Sequence, residues 1–310
     1  MRLVLHIGDV KTGTSAIQQH FHSHKDIYRE AGLHYIHDEG RVECRSLAAA
    51  IFSTGASLGP GLKDFGRLDQ SGRMAHVHAK LAKNRGCYGS AGAALISSEH
   101  LFYDLDSVEY ITTLKMLLSE FFSEFRVVVY LRHPLDSFRS HYSTHLKSGG
   151  TTSIASFLRQ YLLRINHAQR LAYWAQLFGK QNIHVRVYAK EAFYGGDFES
   201  DFFKACGFET RPIKSFPIKN KTLRASAAFR LRLLNIITPK VLKDTPSFVH
   251  RRSALLDKWD EAGGPPIKVP AWLLSEIETG YRALNESLLP TWGNGNHLDL
   301  LFSAVQADVS

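Results

Sequence analysis

The sequence predicts a three-layer α/β protein in which a mostly parallel central sheet carries helices on both faces. Three observations indicate this class. Short apolar runs alternate along the chain with longer amphipathic segments. Two of these runs, residues 3–7 and 127–131, lead directly into polar turns that open helices. Glycines follow several of the amphipathic segments, where helices end. Such alternation implies right-handed crossovers between parallel strands, which gather the loops after the strands at one edge of the sheet.

Each element follows from its local pattern. In the first helix Ile17, Phe21 and Tyr28 recur at helical spacing, and Gly32 provides the stop. Pro134 suits the first turn of a later helix. The predicted strands are residues 2–7, 33–36, 93–98, 127–131 and 183–188. The predicted helices are residues 14–31, 107–122, 134–147, 154–178, 197–206, 223–237 and 271–289.

We expect a single domain that spans all 310 residues. Its core covers residues 1–215, and residues 216–310 form a helical C-terminal part. Residues 41–92 are expected to be a surface excursion that carries a helix, because they lack a strong period and are rich in Gly and Ser at 53–61 and 86–92.

The charge of the chain favours anionic ligands. The formal net charge is +9, and a hydrophobic content of 44% is enough for a large core. The sequence has neither a basic helix with interleaved aromatic residues nor zinc-finger spacing, so we expect no nucleic-acid partner. The three cysteines, Cys44, Cys87 and Cys206, are far apart and odd in number, which indicates reduced thiols.

No apolar run approaches the roughly 20 residues that a membrane span needs, and the first strand begins within a few residues of Met1. We therefore expect a cytoplasmic protein. The basic, amphipathic stretch 223–242 leaves peripheral contact with a membrane surface or an acidic polymer open, although packing into the core is the favoured interpretation. The oligomeric state is left open.

The first polar turn has the composition of a phosphate cradle. Glycines allow the backbone to approach an anion closely, and the first amides of a helix point outward without partners. A lysine and hydroxyl side chains add a cation and donors. The spacing differs from that of the nucleotide triphosphatase loop, because the lysine precedes the second glycine. A plain tight turn is the alternative. The turn and helix start read Gly8, Asp9, Val10, Lys11, Thr12, Gly13, Thr14 and Ser15.

A second strand also ends on a polar helix opening. Arg132 stands at the strand end, and Ser140 lies about two turns into the helix, so both can converge on one phosphate. Asp136 is expected to orient Arg132 or to cap the helix. A strand-end arginine paired with a carboxylate is the alternative.

Together the two segments resemble the sulfotransferases that use 3′-phosphoadenosine 5′-phosphosulfate, and in particular the bacterial, carbohydrate-directed members. Residues 11–15 are similar to the loop that binds the 5′-phosphosulfate, and the family's 3′-phosphate motif, Arg-x-Pro-x-Asp-x-x-x-Ser, is matched from Arg132 to Ser140. Further matches are residues 96–101 and 141–150, and Asn220-x-Thr222-Leu223. Asp9 departs from the pattern, because a negative side chain is unexpected beside a phosphate site.

The resemblance implies a P-loop-like sulfotransferase fold and a donor-binding set. That set is Lys11, Thr12, Gly13, Thr14, Ser15, Arg132 and Ser140, with Asn220 and Lys221 covering the nucleotide. The implied reaction moves a sulfuryl group from the donor to an acceptor hydroxyl, without a metal. A glycan is the expected acceptor, and a lipid or a small metabolite stays open as the alternative. The excursion 41–92 is a candidate for acceptor specificity.

Sulfuryl transfer needs neutralisation of the leaving phosphate and removal of a proton from the acceptor. Lys11 is the candidate for the first role. For the second we expect Glu99, which follows the strand 93–98, with its neighbour His100 as the alternative. If strand pairing continued through them, only one would face the donor. Asp38 and Glu39, after the second strand, stay open as alternatives.

Two other functions are compatible with the motifs. In a small-molecule kinase, Lys11 would hold ATP and Glu99 would help to bind Mg²⁺. The loop spacing counts against this, as does Arg132 where a metal-binding aspartate is expected. A non-catalytic glycan-binding protein is the third alternative, if Asp9 disables the loop.

Overall fold

The computed structural model describes residues 1–52, 62–88, 92–208, 216, 222–239, 245–293 and 295–303. Its centre is a five-stranded sheet in the order β2-β3-β1-β4-β5, and every pair of neighbouring strands is parallel. The predicted α/β class with a parallel sheet flanked by helices is confirmed. The strands are β1 (Arg2–His6), β2 (Leu33–Ile36), β3 (Ala93–Ser97), β4 (Glu124–Leu131) and β5 (Ile183–Val187).

The helices lie in the connections and in the C-terminal part. They are α1 (Thr14–Ser23), α2 (Lys25–Glu30), α3 (Arg45–Ile51), α4 (Lys63–Arg67), α5 (Gln70–Lys83), α6 (Arg85–Tyr88), α7 (His100–Tyr103), α8 (Val108–Ser119), α9 (Pro134–Lys147), α10 (Ile154–Leu162), α11 (His167–Phe178), α12 (Phe198–Cys206), α13 (Ala225–Ile237), α14 (Pro246–Glu261), α15 (Ala271–Asn285) and α16 (Leu288–Trp292).

The strand order creates a topological switch point between β1 and β4. From β1 the chain crosses over β3 to reach β2, whereas from β4 it moves to β5 in the opposite direction. Connections that leave two neighbouring strands in opposite directions open a crevice at the carboxyl edge of the sheet, where α/β proteins bind ligands. The loop after β1 and the residue after β4 both lie at this edge.

The chain divides into two compact units. The first comprises Met1–Arg132, His167–Lys219 and Ser287–Leu301 and contains the whole sheet. The second comprises His133–Asn166, Asn220–Glu286 and Phe302–Ser310, and its described elements are helical. The expected single domain, with a boundary at residue 215, stays a prediction.

The core of the first unit packs aromatic rings against one face of the sheet. Val4, at the centre of β1, is fully buried, and central parallel strands read as continuous apolar runs because both of their faces are covered. Cys44 and Cys206 are buried free thiols. The ring cluster includes Phe21, Tyr28, Tyr35, Tyr130, Phe202, Phe203 and Phe216.

Two predicted helices are interrupted. Residues 14–31 form α1 and α2, which meet at His24, where the backbone leaves helical geometry. Residues 154–178 form α10 and α11, so a continuous helix there was wrong. In the second unit, the side-chain amide of Asn285 donates to the carbonyl oxygen of Ile165 (2.8 Å). In an unbroken helix the carbonyl oxygen of Ile165 would accept from a backbone amide of the same helix, whereas here it accepts from the side chain of Asn285.

The predicted helix 271–289 also divides, into α15 and α16. Among the described residues, none of the helices combines the length and the apolar character needed to cross a bilayer.

Candidate anion-binding loop and acid–base cluster

The loop between β1 and α1 bends through three residues with positive φ. These are Gly8 (46°), Lys11 (69°) and Gly13 (81°). Glycine adopts such angles readily, but a residue with a Cβ loses roughly 1–2 kcal/mol in this region. The strained backbone at Lys11 therefore needs support from its surroundings, and strain of this kind clusters at functional sites.

Gly13 is the N-cap residue of α1 and cannot supply a capping side chain. A Cβ at this position would lie 2.6 Å from Cε1 of Phe198, so a larger residue would displace the loop or the ring. Because the first amides of a helix carry partial positive charge, this start offers donors to an anion. The loop has the backbone geometry of an anion cradle.

Two of the predicted ligand hydroxyls point into the loop. The hydroxyl of Thr12, which is fully buried, donates to the carbonyl oxygen of Asp9 (2.6 Å). Thr14, also buried, makes a longer contact with the same oxygen (3.4 Å). These contacts close the loop on itself, whereas Lys11 and Ser15 are half-buried.

Asp9, which departs from the expected pattern, is completely buried. Oδ1 accepts a hydrogen bond from the hydroxyl of Tyr103 (2.8 Å), the last residue of α7. Oδ2 lies 3.4 Å from Nε2 of His167, at the start of α11. Arg170, one turn further along α11, donates to the carbonyl oxygens of Phe102 (2.6 Å) and Tyr103 (2.9 Å). The Asp9 carboxyl therefore connects the loop between β1 and α1 to two other elements of the first unit, α7 and α11.

Burial raises the pKa of Asp9 to about 7, although the Tyr103 hydrogen bond, the Val10 amide and the charges of Arg170 and Arg132 oppose the rise. A carboxyl with this pKa is about half protonated at neutral pH. Asp9 thus brings less negative charge to the loop than an exposed aspartate would.

Arg132 directly follows β4 and contacts the first motif. Its Nη1 donates to the carbonyl oxygen of Lys11 (3.1 Å), and its guanidinium lies 5.8 Å from the ring centroid of Tyr188. The hydrogen bond holds the peptide of the residue with strained φ. The end of the second motif strand and the first loop therefore meet at the switch point between β1 and β4.

The rest of the second motif belongs to the second unit. Ser140 is buried on α9, two turns after Pro134. Asp136 is exposed in the first turn, where its charge suits the helix dipole. The N-cap residue of α9 is His133, whose side chain makes no capping hydrogen bond. The role expected for Asp136, to orient Arg132 or to cap the helix, stays a prediction.

The candidate bases follow β3, but the strand ends earlier than predicted. It stops at Ser97, and Glu99 is the N-cap residue of α7. The alternation of strand side chains therefore cannot select between Glu99 and His100. Glu99 is half-buried, and its Oε2 accepts a hydrogen bond from the side-chain amide of Gln18 on α1 (3.0 Å).

His100 forms a dyad with Asp104 one turn along. Nδ1 lies 2.9 Å from the Asp104 carboxylate and donates to it, because an ionised carboxylate only accepts. Burial alone would lower the pKa of His100, but this hydrogen bond and the charges of Glu99 and Asp104 outweigh it, so the pKa is raised. The dyad fixes one tautomer and leaves Nε2 for proton transfer.

Glu43 completes the cluster, and the sequence interpretation missed it. One ligand atom each of Glu43, Glu99 and His100 lies within 4.8 Å of the others. Glu43 is buried and pairs with Arg41 (2.7 Å). The signal was present, since Glu43 follows β2 as Asp38 and Glu39 do. The three side chains have the composition of a metal site, but each also has a protein partner: Arg41, Gln18 or Asp104.

Asp38 and Glu39 have other environments. Asp38 is buried, pairs with Lys80 (2.6 Å), and accepts from the amide of Ser46 (2.8 Å) and from its hydroxyl. Burial alone would raise the pKa of Asp38, but Lys80 and Ser46 outweigh it and lower the pKa. Such a carboxylate is a weak base. Glu39 is exposed.

The predicted nucleotide cover, Asn220 and Lys221, lies outside the described residues.

No family model matches the sequence, and no curated protein matches it. Among solved structures, the chain is similar to the crystal structure of a sulfotransferase from Alicyclobacillus acidocaldarius. The two are 15% identical, with a TM-score of 0.44, over 82% of this chain and 95% of that chain.

Proposed function

We propose that the protein is a sulfotransferase that moves a sulfuryl group from 3′-phosphoadenosine 5′-phosphosulfate to an acceptor hydroxyl, with a carbohydrate as the expected acceptor. The observation that carries this proposal is the hydrogen bond from Arg132 to the carbonyl oxygen of Lys11 (3.1 Å). It joins the two motif segments at one switch point, where a nucleotide with phosphates at both ends needs two cationic sites. The cytoplasm is the expected compartment.

The residues present fit the 5′ end of such a donor. A glycine N-cap, positive φ at three loop positions and a lysine supply backbone donors and a cation for an anion. Asp9 is compatible with this role because it is buried and hydrogen-bonded by Tyr103. Ser140, Asn220 and Lys221 are assigned to the donor from the sequence motif.

Lys11 is proposed to stabilise the leaving group. The donor supplies a sulfuryl group bonded to a phosphate oxygen on which negative charge grows during transfer. An ammonium positioned beside that oxygen lowers the barrier by about 3–4 kcal/mol, as other preorganised donors do. Arg132 restricts the Lys11 peptide through its carbonyl oxygen, so less reorganisation is needed at the moment of reaction.

His100 is proposed as the base. Asp104 holds the proton on Nδ1, and Nε2 takes the proton of the acceptor hydroxyl. The imidazolium that forms lies within 4.8 Å of carboxylate oxygens of Glu43 and Glu99, which stabilise its charge. Glu99 thus acts as an electrostatic partner of the imidazolium. The alternative is that Glu99 itself is the base, and substitution of each residue distinguishes the two roles.

The test combines binding and turnover. Calorimetry with adenosine 3′,5′-bisphosphate, with and without Mg²⁺, should show metal-free binding that is weakened in Arg132→Lys. Transfer from labelled donor to a panel of sugars should then fall about 10²–10³-fold in kcat for Lys11→Ala, with a smaller change in bisphosphate affinity. Lys258→Ala, which changes an exposed lysine on α14, is the matched control.

Other outcomes would contradict the proposal. A requirement for Mg²⁺ together with preference for ATP would favour the kinase. Absence of nucleotide binding to a folded protein would favour a non-catalytic glycan-binding role.

A further inference from the structure

Helix α13 in the second unit exposes a row of large apolar side chains. A large apolar side chain that stays exposed to water forgoes the free energy that it would gain by burial against a partner. The exposed fractions are 63% for Phe229, 43% for Leu233, 49% for Ile236 and 73% for Ile237. At 3.6 residues per turn these four lie within an arc of about 100°. We call them the α13 stripe.

The opposite side of the same helix is already packed. Ala227, Ala228 and Leu231 are buried there. Asn235 is buried beside them, and its side-chain amide donates to the carbonyl oxygens of Leu146 and Gly150 (2.8 Å each). The helix therefore presents apolar residues on two opposite faces, as helices do that are covered on both sides. The α13 stripe is the face without cover among the described residues.

The stripe lies on a helix that carries cations and no acid. Within α13 the charged residues are Arg230 and Arg232. Arg230 and Arg232 project on the two sides of the stripe, each about 75–85° from its centre. Arg230 is exposed, and Arg232 is half-buried and donates to the carbonyl oxygen of Thr151 (3.0 Å). An apolar row between cations is the pattern of a helix that lies in a membrane interface.

We propose that the α13 stripe docks the protein onto the surface of an anionic lipid bilayer. Phe229 and Ile237 would enter the boundary between headgroups and acyl chains, and Arg230 would face the lipid phosphates. A second copy of the chain is disfavoured as occupant, because a two-fold contact would bring together two helices that carry arginines and no acid. An acidic polymer matches the charge but leaves the four apolar side chains in water.

The test uses the full chain and sedimentation with unilamellar vesicles. Phosphatidylcholine vesicles are compared with vesicles that also contain phosphatidylglycerol. We expect binding to the anionic vesicles that weakens as salt is raised, since screening shortens the reach of the arginines. Phe229→Ser and Ile237→Ser should each reduce the partition coefficient about tenfold or more, as expected when a large apolar side chain no longer leaves water.

Matched variants separate docking from loss of fold. Met116→Ser changes a side chain of α8 that is 69% exposed and should leave vesicle binding unchanged. Arg230→Gln should weaken binding to anionic vesicles, and Arg159→Gln, an exposed arginine on α10, should not. Thermal unfolding checks that every variant is folded.

The proposal is overturned if the folded Phe229→Ser protein binds anionic vesicles as the wild type does. It is also overturned if the wild type binds neither vesicle, or if sedimentation equilibrium shows a dimer that Phe229→Ser dissociates.

Discussion

Gly13 combines a left-handed backbone with a close approach to an aromatic ring. Its φ is 81°, and a Cβ there would lie 2.6 Å from Cε1 and 2.9 Å from Cζ of Phe198. The Phe198 ring cannot move aside easily, because four other aromatic rings surround it at centroid distances of 5.0–5.6 Å. Those neighbours are Tyr130, Tyr188, Phe193 and Phe216.

Two costs add in Gly13→Ala. The left-handed backbone costs about 1 kcal/mol for alanine, and overpacking against Phe198 costs about 1–3 kcal/mol. The free energy of unfolding should fall by about 2–4 kcal/mol. Gly40→Ala is the matched control, because Gly40 has φ 69° but nothing within 4 Å of its added Cβ. It should lose only about 1 kcal/mol, and effects on the unfolded chain cancel between the two variants.

Urea unfolding of the wild type and both variants measures these differences in the free energy of unfolding. Calorimetry with adenosine 3′,5′-bisphosphate measures the affinity of the loop for the ligand. Gly13→Ala should weaken bisphosphate binding, whereas Gly40→Ala should not. Gly13→Ala should cost less stability in a Phe198→Leu background than in the wild type. The smaller leucine side chain leaves room for the added Cβ. Equal destabilisation by the two glycine substitutions would refute the argument that contact with Phe198 fixes the loop.

Two further predictions concern titratable groups. If His100 is the base, the rate falls as pH falls through its raised pKa; Asp104→Asn should lower kcat and move this acid limb to lower pH, as a pH–rate profile would show. An unmoved limb would point to another base. The folded-state pKa of about 7 for Asp9 exceeds the unfolded value, so the carboxyl destabilises the protein increasingly from about pH 4 to 7. Asp9→Asn should therefore gain stability over the wild type as pH rises, approaching about 4 kcal/mol at pH 8 in urea unfolding. A difference that does not change with pH would exclude this cause.

The strands were predictable because their residues match a local rule. Residues 33–36 were assigned with the bounds of β2, and β1 and β3 end one residue earlier than predicted. A run of branched apolar residues is recognised without knowledge of its neighbours. The helix 154–178 failed for the opposite reason, since its interruption involves a carbonyl oxygen bound by Asn285, about 120 residues away in sequence.

The acid–base cluster was only partly predictable. Glu99 and His100 were found because they follow a strand at the expected edge. Glu43 was missed because its approach to them depends on the path of the chain after β2, and the nearer acids, Asp38 and Glu39, carried the same signal. Which carboxylate can act as a base depends on partners that are distant in sequence. Lys80 binds Asp38, 42 residues away, and lowers its pKa, which makes Asp38 a weak base.

The meeting of the two motifs has a similar origin. Five apolar runs of like composition do not state which strands are neighbours, so the order β2-β3-β1-β4-β5 is a tertiary result. With β1 beside β4, the carboxyl end of each strand delivers its polar residue to the same crevice, and Arg132 reaches the carbonyl oxygen of Lys11 across 121 residues of sequence. If β3 lay between β1 and β4, the two ends would be separated by about another 4.8 Å of strand spacing, and this hydrogen bond could not form. The loop would then lose the contact that supports its strained lysine.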